Sequence, residues 1–323
     1  MPLLLPLRHM AIYYPGHPAL KNIDKPVITI GTFDGVHLGH RAILEEVITQ
    51  AKKNGGQSMV ITFDPHPRSI LHIGTSLRIL TPLEQKLQLI QKAGIDNIVV
   101  APFSKEFALL TAEAYVSDFL VKEYHPSALV IGYDHRFGHD REGDISLLKS
   151  FGKNFGFDVD EIPAHMIRDA AISSTKIRDA LNEGNISAAN QMLGRNYSIS
   201  GTVVKGQQLG RTLGYPTANL QPKTDMQLIP ASGIYAAQVR IADRLFDSVM
   251  SIGVRPTVTD NGALSIEAFL FDFSGDLYGQ EIEISFVERI RREEKFDSLE
   301  TLKAAMAKDE REAREILKVK GKR

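Results

Sequence analysis

The sequence predicts a chain in two parts: an α/β half built on a parallel sheet, then a small antiparallel β-barrel closed by a C-terminal helix. Three observations carry this expectation. Up to Ile162, short β-favouring runs alternate with helix-period stripes, as in a parallel sheet with right-handed crossovers. From Tyr197 the apolar period changes to two, with Gly, Asp and Asn turns between the runs, as in antiparallel sheet. At 323 residues and 43% apolar composition, the chain can bury two separate cores, which we place at residues 1–185 and 186–323.

The elements follow in order. Residues 8–26 form an irregular lead-in with room for one short strand. Val27–Ile30 is a buried strand running into Gly31, and Ile43, Leu44, Val47, Ile48 and Ala51 mark one stripe of the helix that follows. Ser58–Phe63 is the second strand, closed by Asp64-Pro-His-Pro67, whose prolines predict an extended loop. Thr81-Pro82 predicts a capped helix start, with Leu83, Leu87 and Ile90 inside and Gly94 as its stop. Asn97–Ala101 is a third strand, 104–123 a helical stretch with starts at Ser104 and Thr111, and Ser127–Ile131 a fourth strand. A helix over 145–151 and a strand over Phe157–Ile162 complete this half. Residues 176–194 read as two short helices broken at Gly184-Asn185 and stopped at Gly194. Beyond Tyr197 a barrel of about six strands is expected. Asp297 and Glu300 suggest a capping box for a last helix lined by Leu299, Leu302 and Met306.

Composition narrows the function. A formal net charge of −1 provides no broad basic field for nucleic acid. The absence of cysteine excludes disulfides and thiolate metal sites. The apolar run Met1–Leu7 is too short and proline-broken for a signal peptide, and no run approaches the roughly 18 apolar residues of a membrane helix. A cytoplasmic protein acting on small molecules is expected, and an oligomer is compatible with the sequence.

Three stretches carry chemistry. In Gly31-Thr-Phe-Asp-Gly-Val-His-Leu-Gly-His40, two imidazoles stand three apart where a strand ends and a helix begins. Ligands bind at that edge of open α/β sheets, and a helix start offers N–H groups to phosphate. Such a pair can hold metal or phosphate oxygens, but no carboxylate or cysteine lies at zinc-ligand spacing beside it. In Ile172-Ser-Ser-Thr-Lys-Ile-Arg178, hydroxyls at a helix start precede a forked cation one turn in. In Gly201–Leu220, glycines at 201, 206, 210 and 214 let backbone amides approach an anion, although no P-loop pattern exists anywhere in the chain.

The first stretch resembles the signature of the nucleotidylyltransferase superfamily, in the form carried by prokaryotic bifunctional riboflavin kinase/FAD synthetases. Gly132-Tyr-Asp-His-Arg-Phe-Gly138 and Ile172–Arg178 resemble that family's later motifs, with His135 where the family has Phe. Gly210-Arg-Thr-Leu-Gly-Tyr-Pro-Thr-Ala-Asn-Leu220 resembles the riboflavin kinase signature, as do Ser251–Thr257, Ile266–Phe273 and Asp276–Gly279. The resemblance spans residues 25–318 in the family's order and implies a Rossmann-like first domain and a kinase barrel.

It also implies roles. His37 and His40 would act on the triphosphate during adenylylation of FMN. Gly31, Phe33, Asp34, Gly39, Asp134, Ser173, Ser174, Thr175 and Arg178 would contact ATP or its phosphates, with the hydroxyls and Arg178 on pyrophosphate. Pro65 and Arg68 would wall the flavin. In the second half, Lys205, Gly206, Gly210 and Arg211 would contact ATP, Gly214 and either Arg291 or its neighbour Arg292 the flavin, and Thr217 and Asn219 Mg²⁺, while Glu267 would be the base. Riboflavin, ATP and FMN are then the substrates, with FMN and FAD as products. Two alternatives are a nucleotidylyltransferase for another phosphate substrate and a flavin-binding regulator without catalysis. The first leaves the second half without a role, and the second leaves Glu267 without one.

Overall fold

The apolar runs of the first half become the strands of a sheet. The computed structural model describes residues 11–71, 78–133, 135–162, 172–206, 214–254 and 264–320, in two units, Met1–Ser173 and Ser174–Arg323.

The first unit contains β1 (Ala11–Tyr13), β2 (Val27–Ile30), α1 (Leu38–Lys53), β3 (Ser58–Phe63), α2 (Pro67–Ile70), α3 (Leu83–Lys92) and β4 (Asn97–Ala101). There follow α4 (Lys105–Ala108), α5 (Ala112–Ala114), a π-helical segment Tyr115–Val121, α6 (Lys122–Tyr124), β5 (Ala128–Gly132), α7 (Ile145–Phe155) and β6 (Asp158–Ile162). The sheet order is β1-β4-β3-β2-β5-β6, with every pairing parallel. Successive strand residues alternate between two cores. Ile28, Ile30, Met59, Ile61, Val99 and Leu129 pack on one face, and Val27, Val60, Ile98 and Val130 meet Leu44, Val47 and Ala51 of α1 on the other. Because β3 and β5 flank β2, the chain departs in opposite directions from this point, which opens a crevice at the carboxyl end of β2.

The second unit begins with α8 (Ser174–Glu183) and α9 (Ile186–Leu193). Then come β7 (Tyr197–Val204), β8 (Ala218–Pro222), β9 (Gly233–Ile241), β10 (Arg244–Val254), β11 (Leu264–Leu270), β12 (Glu281–Arg291) and α10 (Leu299–Lys320). The six strands close into an antiparallel barrel, β10-β11-β8-β7-β12-β9. Tyr197, Tyr235, Ile284 and Phe286 are buried in this unit. The end of α8 is tied to the barrel: Ala231 N donates to Leu181 O at 3.0 Å, and Arg289 donates to Glu183 O at 3.1 Å and to Ser232 O.

Several local expectations are corrected. Thr81 does not cap α3; Pro82 holds the cap position without a side-chain bond, because the Thr81 hydroxyl and amide are engaged with Gly35 and Asp34. The helical stretch over 104–123, by contrast, has the two starts expected of it. Ser104 and Thr111 each accept an amide, from Phe107 and Ala114, and so start two separate turns. The extended loop at Asp64–Pro67 gives way at Pro67 to the short helix α2, capped by the His66 ring. The last helix is capped by Ser298 with Thr301, which exchange bonds between each side chain and the other's amide, in place of Asp297 and Glu300. Leu299 is exposed, and the inward face of α10 is Asp309, Ala313 and Leu317.

Candidate functional site

Each unit presents one candidate site. In the first, β2 ends at Ile30, and Gly31 N still bonds Ile61 O at 3.0 Å. The chain then turns tightly: Phe33, Gly35 and Val36 all have positive φ, of 47°, 89° and 38°. Only glycine adopts such angles freely, and Val36 is β-branched, so the turn needs external support. Asp34 supplies part of it. Its carboxylate is 3% exposed and accepts the amides of Leu80 at 2.9 Å and Thr81 at 3.0 Å, while the Thr81 hydroxyl accepts Gly35 N at 2.8 Å. Phe33 is buried, with its ring edge-on to His40. Both side chains are buried and support the turn that leads into the two histidines.

The two histidines come together as the spacing predicts. Their rings stack with centroids 3.6 Å apart and planes 16° from parallel. His37 is also the cap of α1: its Nδ1 accepts His40 N at 3.2 Å. Accepting there leaves the ring proton on Nε2, a tautomer fixed by the hydrogen-bond network. His37 can thus cap the helix and still donate from its far edge.

Pro65 and Arg68 lie exposed just beyond β3, which neighbours β2. Beside them is a cavity of about 250 Å³ lined by Tyr14, Pro15, Asp64, Leu83, Val100 and Pro102. Tyr14 carries no motif, and Leu83 reads in the sequence only as a core position of its helix. Asp134 lies outside the described residues. Lys86 was also missed. It is 6% exposed, and its ammonium donates to Thr32 O at 3.2 Å and Phe63 O at 3.1 Å.

In the second unit, α8 starts at Ser174, so Ser173 stands directly before the helix and Thr175 and Arg178 lie in its first turns. Ile177, Ala180 and Leu181 form its buried stripe, while Thr175 is exposed and Arg178 half-buried.

The barrel site is built by register. Glu267 on β11 lies opposite Asn219 on β8 and Ser251 on β10. Thr217 Oγ1 donates to Glu267 Oε2 at 3.0 Å, and Ser265 Oγ donates to Oε1 at 2.8 Å. Gly206 lies so close to Asn219 that a Cβ there would meet its amide atoms at 2.3–2.5 Å. Only glycine leaves that cradle open. The hydroxyl and amide oxygens of Thr217 and Asn219, next to a carboxylate, make a hard donor set of the kind magnesium takes. Lys205 is exposed and rests over the Tyr278 ring, and Gly214 is exposed with a φ of 88°. Gly210 and Arg211 lie outside the described residues.

Arg291 is paired with a residue of the last helix. Its guanidinium grips Asp309 of α10 with two bonds, at 2.9 and 2.8 Å, and the buried carboxylate holds its pKa above the usual arginine value. The pair braces β12 against α10. Arg292 is exposed.

Comparison with known proteins supplies the remaining context. Residues 20–176 match the family model for FAD synthetase and residues 193–317 the model for riboflavin kinase. The bifunctional riboflavin kinase/FMN adenylyltransferase of Escherichia coli K12 is 40% identical over 291 residues, covering 90% of this chain and 92% of that protein. The protein of the same name from Listeria monocytogenes is 39% identical over 289 residues, covering 89% and 91%. Among solved structures, a Streptococcus pneumoniae protein described as a macrolide-efflux protein superposes with a TM-score of 0.83 at 30% identity, covering 94% of this chain and 98% of that one. Among the described residues here, no helix is long and apolar enough to cross a membrane.

Proposed function

The chain belongs to the bifunctional riboflavin kinase/FMN adenylyltransferase family, and from that premise we propose which residues carry each of its two reactions. The activities are ATP-dependent phosphorylation of riboflavin to FMN and adenylylation of FMN to FAD. We assign the adenylyltransferase to residues 1–185 and the kinase to 186–323.

In the kinase step, the riboflavin 5′-hydroxyl oxygen attacks the γ-phosphorus of ATP, Glu267 takes the hydroxyl proton, and ADP leaves. The Thr217–Glu267 hydrogen bond is the observation that supports this reading best. It fixes one carboxylate oxygen beside the hydroxyl expected at the metal. Thr217 and Asn219 would hold Mg²⁺, which when bound neutralises charge on the ATP phosphates. Gly206 keeps room for the Asn219 amide, and Lys205, Gly210, Arg211 and Gly214 belong to the ATP and flavin surfaces of this half.

In the adenylyl transfer, an FMN phosphate oxygen attacks the α-phosphorus of ATP and pyrophosphate departs. No protein nucleophile is needed; positioning and charge neutralisation suffice. His37 donates from Nε2 and His40 acts beside it on the triphosphate oxygens. Ser173, Ser174, Thr175 and Arg178 hold the pyrophosphate, Gly31 and Gly39 leave room for backbone approach, Asp134 contacts ATP, and Pro65 and Arg68 wall the flavin. The partners are small molecules in the cytoplasm, without nucleic acid, in keeping with a net charge of −1.

The test is to incubate the purified chain with riboflavin, ATP and Mg²⁺ and to follow flavins chromatographically, with and without a chelator. FMN followed by FAD, both abolished by chelation, is expected. Undiminished turnover in the chelator would remove the metal from the scheme.

A further inference from the structure

A charged side chain is buried only where something holds it, and Lys86 sits almost fully buried beneath the carboxyl edge of the sheet. Burial lowers its pKa, against an opposing pull from Asp34 and Asp64. Its ammonium joins the carbonyls of Thr32 and Phe63, which stand where β2 and β3 end. The residues directly after those carbonyls are Phe33-Asp34 and Asp64-Pro65, so one side chain sets the spacing between two loops. The first of these loops has Phe33 and Val36 at positive φ and leads straight into His37.

Residues 80–86 hold this strained turn at four points: Asp34 accepts Leu80 N and Thr81 N, the Thr81 hydroxyl accepts Gly35 N, and Lys86 donates to Thr32 O. A backbone conformation of this kind persists only where its surroundings over-determine it. We propose that Lys86 is a positioning residue for adenylyl transfer, clamping the ends of β2 and β3 so that the His37–His40 pair and the Pro65–Arg68 loop keep a productive separation. This rests on the assignment of His37 and His40 to that reaction.

The test uses the full chain, with its kinase activity as an internal control. Lys86→Met removes the donor but keeps the apolar stem. FMN adenylylation should fall about 100-fold, mainly in kcat, since misplacing catalytic groups by about an ångström has that effect. Riboflavin phosphorylation should be unchanged. Lys86→Gln, with two N–H donors and no charge, should recover part of the loss. A role confined to stability would instead lower the melting temperature and leave kcat well below that temperature intact. If Lys86→Met is folded and adenylylates FMN like the parent chain, or if a misfolded Met variant is accompanied by a folded Gln variant without partial activity, the clamp is refuted. Failure of the parent chain to make FAD from FMN would instead refute the functional assignment itself.

Discussion

The Thr217 hydroxyl donates to Oε2 of Glu267 across 3.0 Å, while Ser265 donates to the other oxygen of the same carboxylate. A carboxylate held from both sides keeps one orientation, as the proposed proton acceptor requires. Replacing it isostericly tests whether its chemistry or only its shape matters. Glu267→Gln should lower riboflavin phosphorylation by about 100-fold or more, the usual contribution of a general base. FMN supplied directly should still be converted to FAD. A kinase rate near that of the parent chain would exclude Glu267 as proton acceptor.

Gly206→Ala probes the cradle of Asn219. The new methyl would lie 2.5 Å from Asn219 Oδ1 and 2.3 Å from Nδ2, too close for either to stay in place. Asn219 is itself buried on β8, so it has little room to yield. The apparent Mg²⁺ requirement of the kinase should rise about tenfold or more, equivalent to at least one weakened metal contact. FAD formation from FMN should be unaffected. An unchanged Mg²⁺ titration would show that Asn219 is not a ligand.

His37→Ala removes both the cap of α1 and the Nε2 donor. Loss of one donor to developing charge lowers kcat by about 100-fold or more. Steady-state assays should show FAD formation reduced on this scale and FMN formation from riboflavin intact. His37→Asn separates the two roles, because asparagine is a good cap. It should restore the melting temperature but not the adenylylation rate; restoration of both would reduce His37 to a cap.

Asp34→Ala removes the acceptor for two buried amides. Leaving such groups unmet costs about 3 kcal/mol in total, so the melting temperature of the first unit should fall by several degrees. Calorimetry of the full chain should show the transition of the second unit unmoved. A thermogram identical to that of the parent chain would mean that water or another group takes over from the carboxylate.

Much of this was legible in the sequence, for physical reasons that can be named. The strand-to-helix passage at Ile30–Leu38 is local, and its glycines and histidines lie in one turn, so reading along the chain found it. The barrel was legible because Ala237–Ile241 and Ile282–Phe286 alternate strictly. What stayed hidden depends on contacts across long separations. Asp34 looks like a ligand-facing acid until Leu80 and Thr81, forty-six and forty-seven residues on, take its oxygens. Lys86 shares the helical stripe of Leu83 and Ile90, but its charge hides that it is buried, and its carbonyl partners Thr32 and Phe63 are distant in sequence. Arg291 and Asp309 sit eighteen residues apart on different elements, so their pairing is invisible to local pattern. Thr81 failed as a predicted cap for the same reason: a distant partner outbid the neighbouring amide.

The central claim is that two complete and chemically independent sites share one chain. Mixing the His37→Ala and Glu267→Gln proteins with riboflavin, ATP and Mg²⁺ tests it most directly. The first variant should supply FMN and the second should adenylylate it, so FAD should accumulate in the mixture far faster than either variant alone makes it from riboflavin. A mixture that produces FMN but no FAD would contradict the claim.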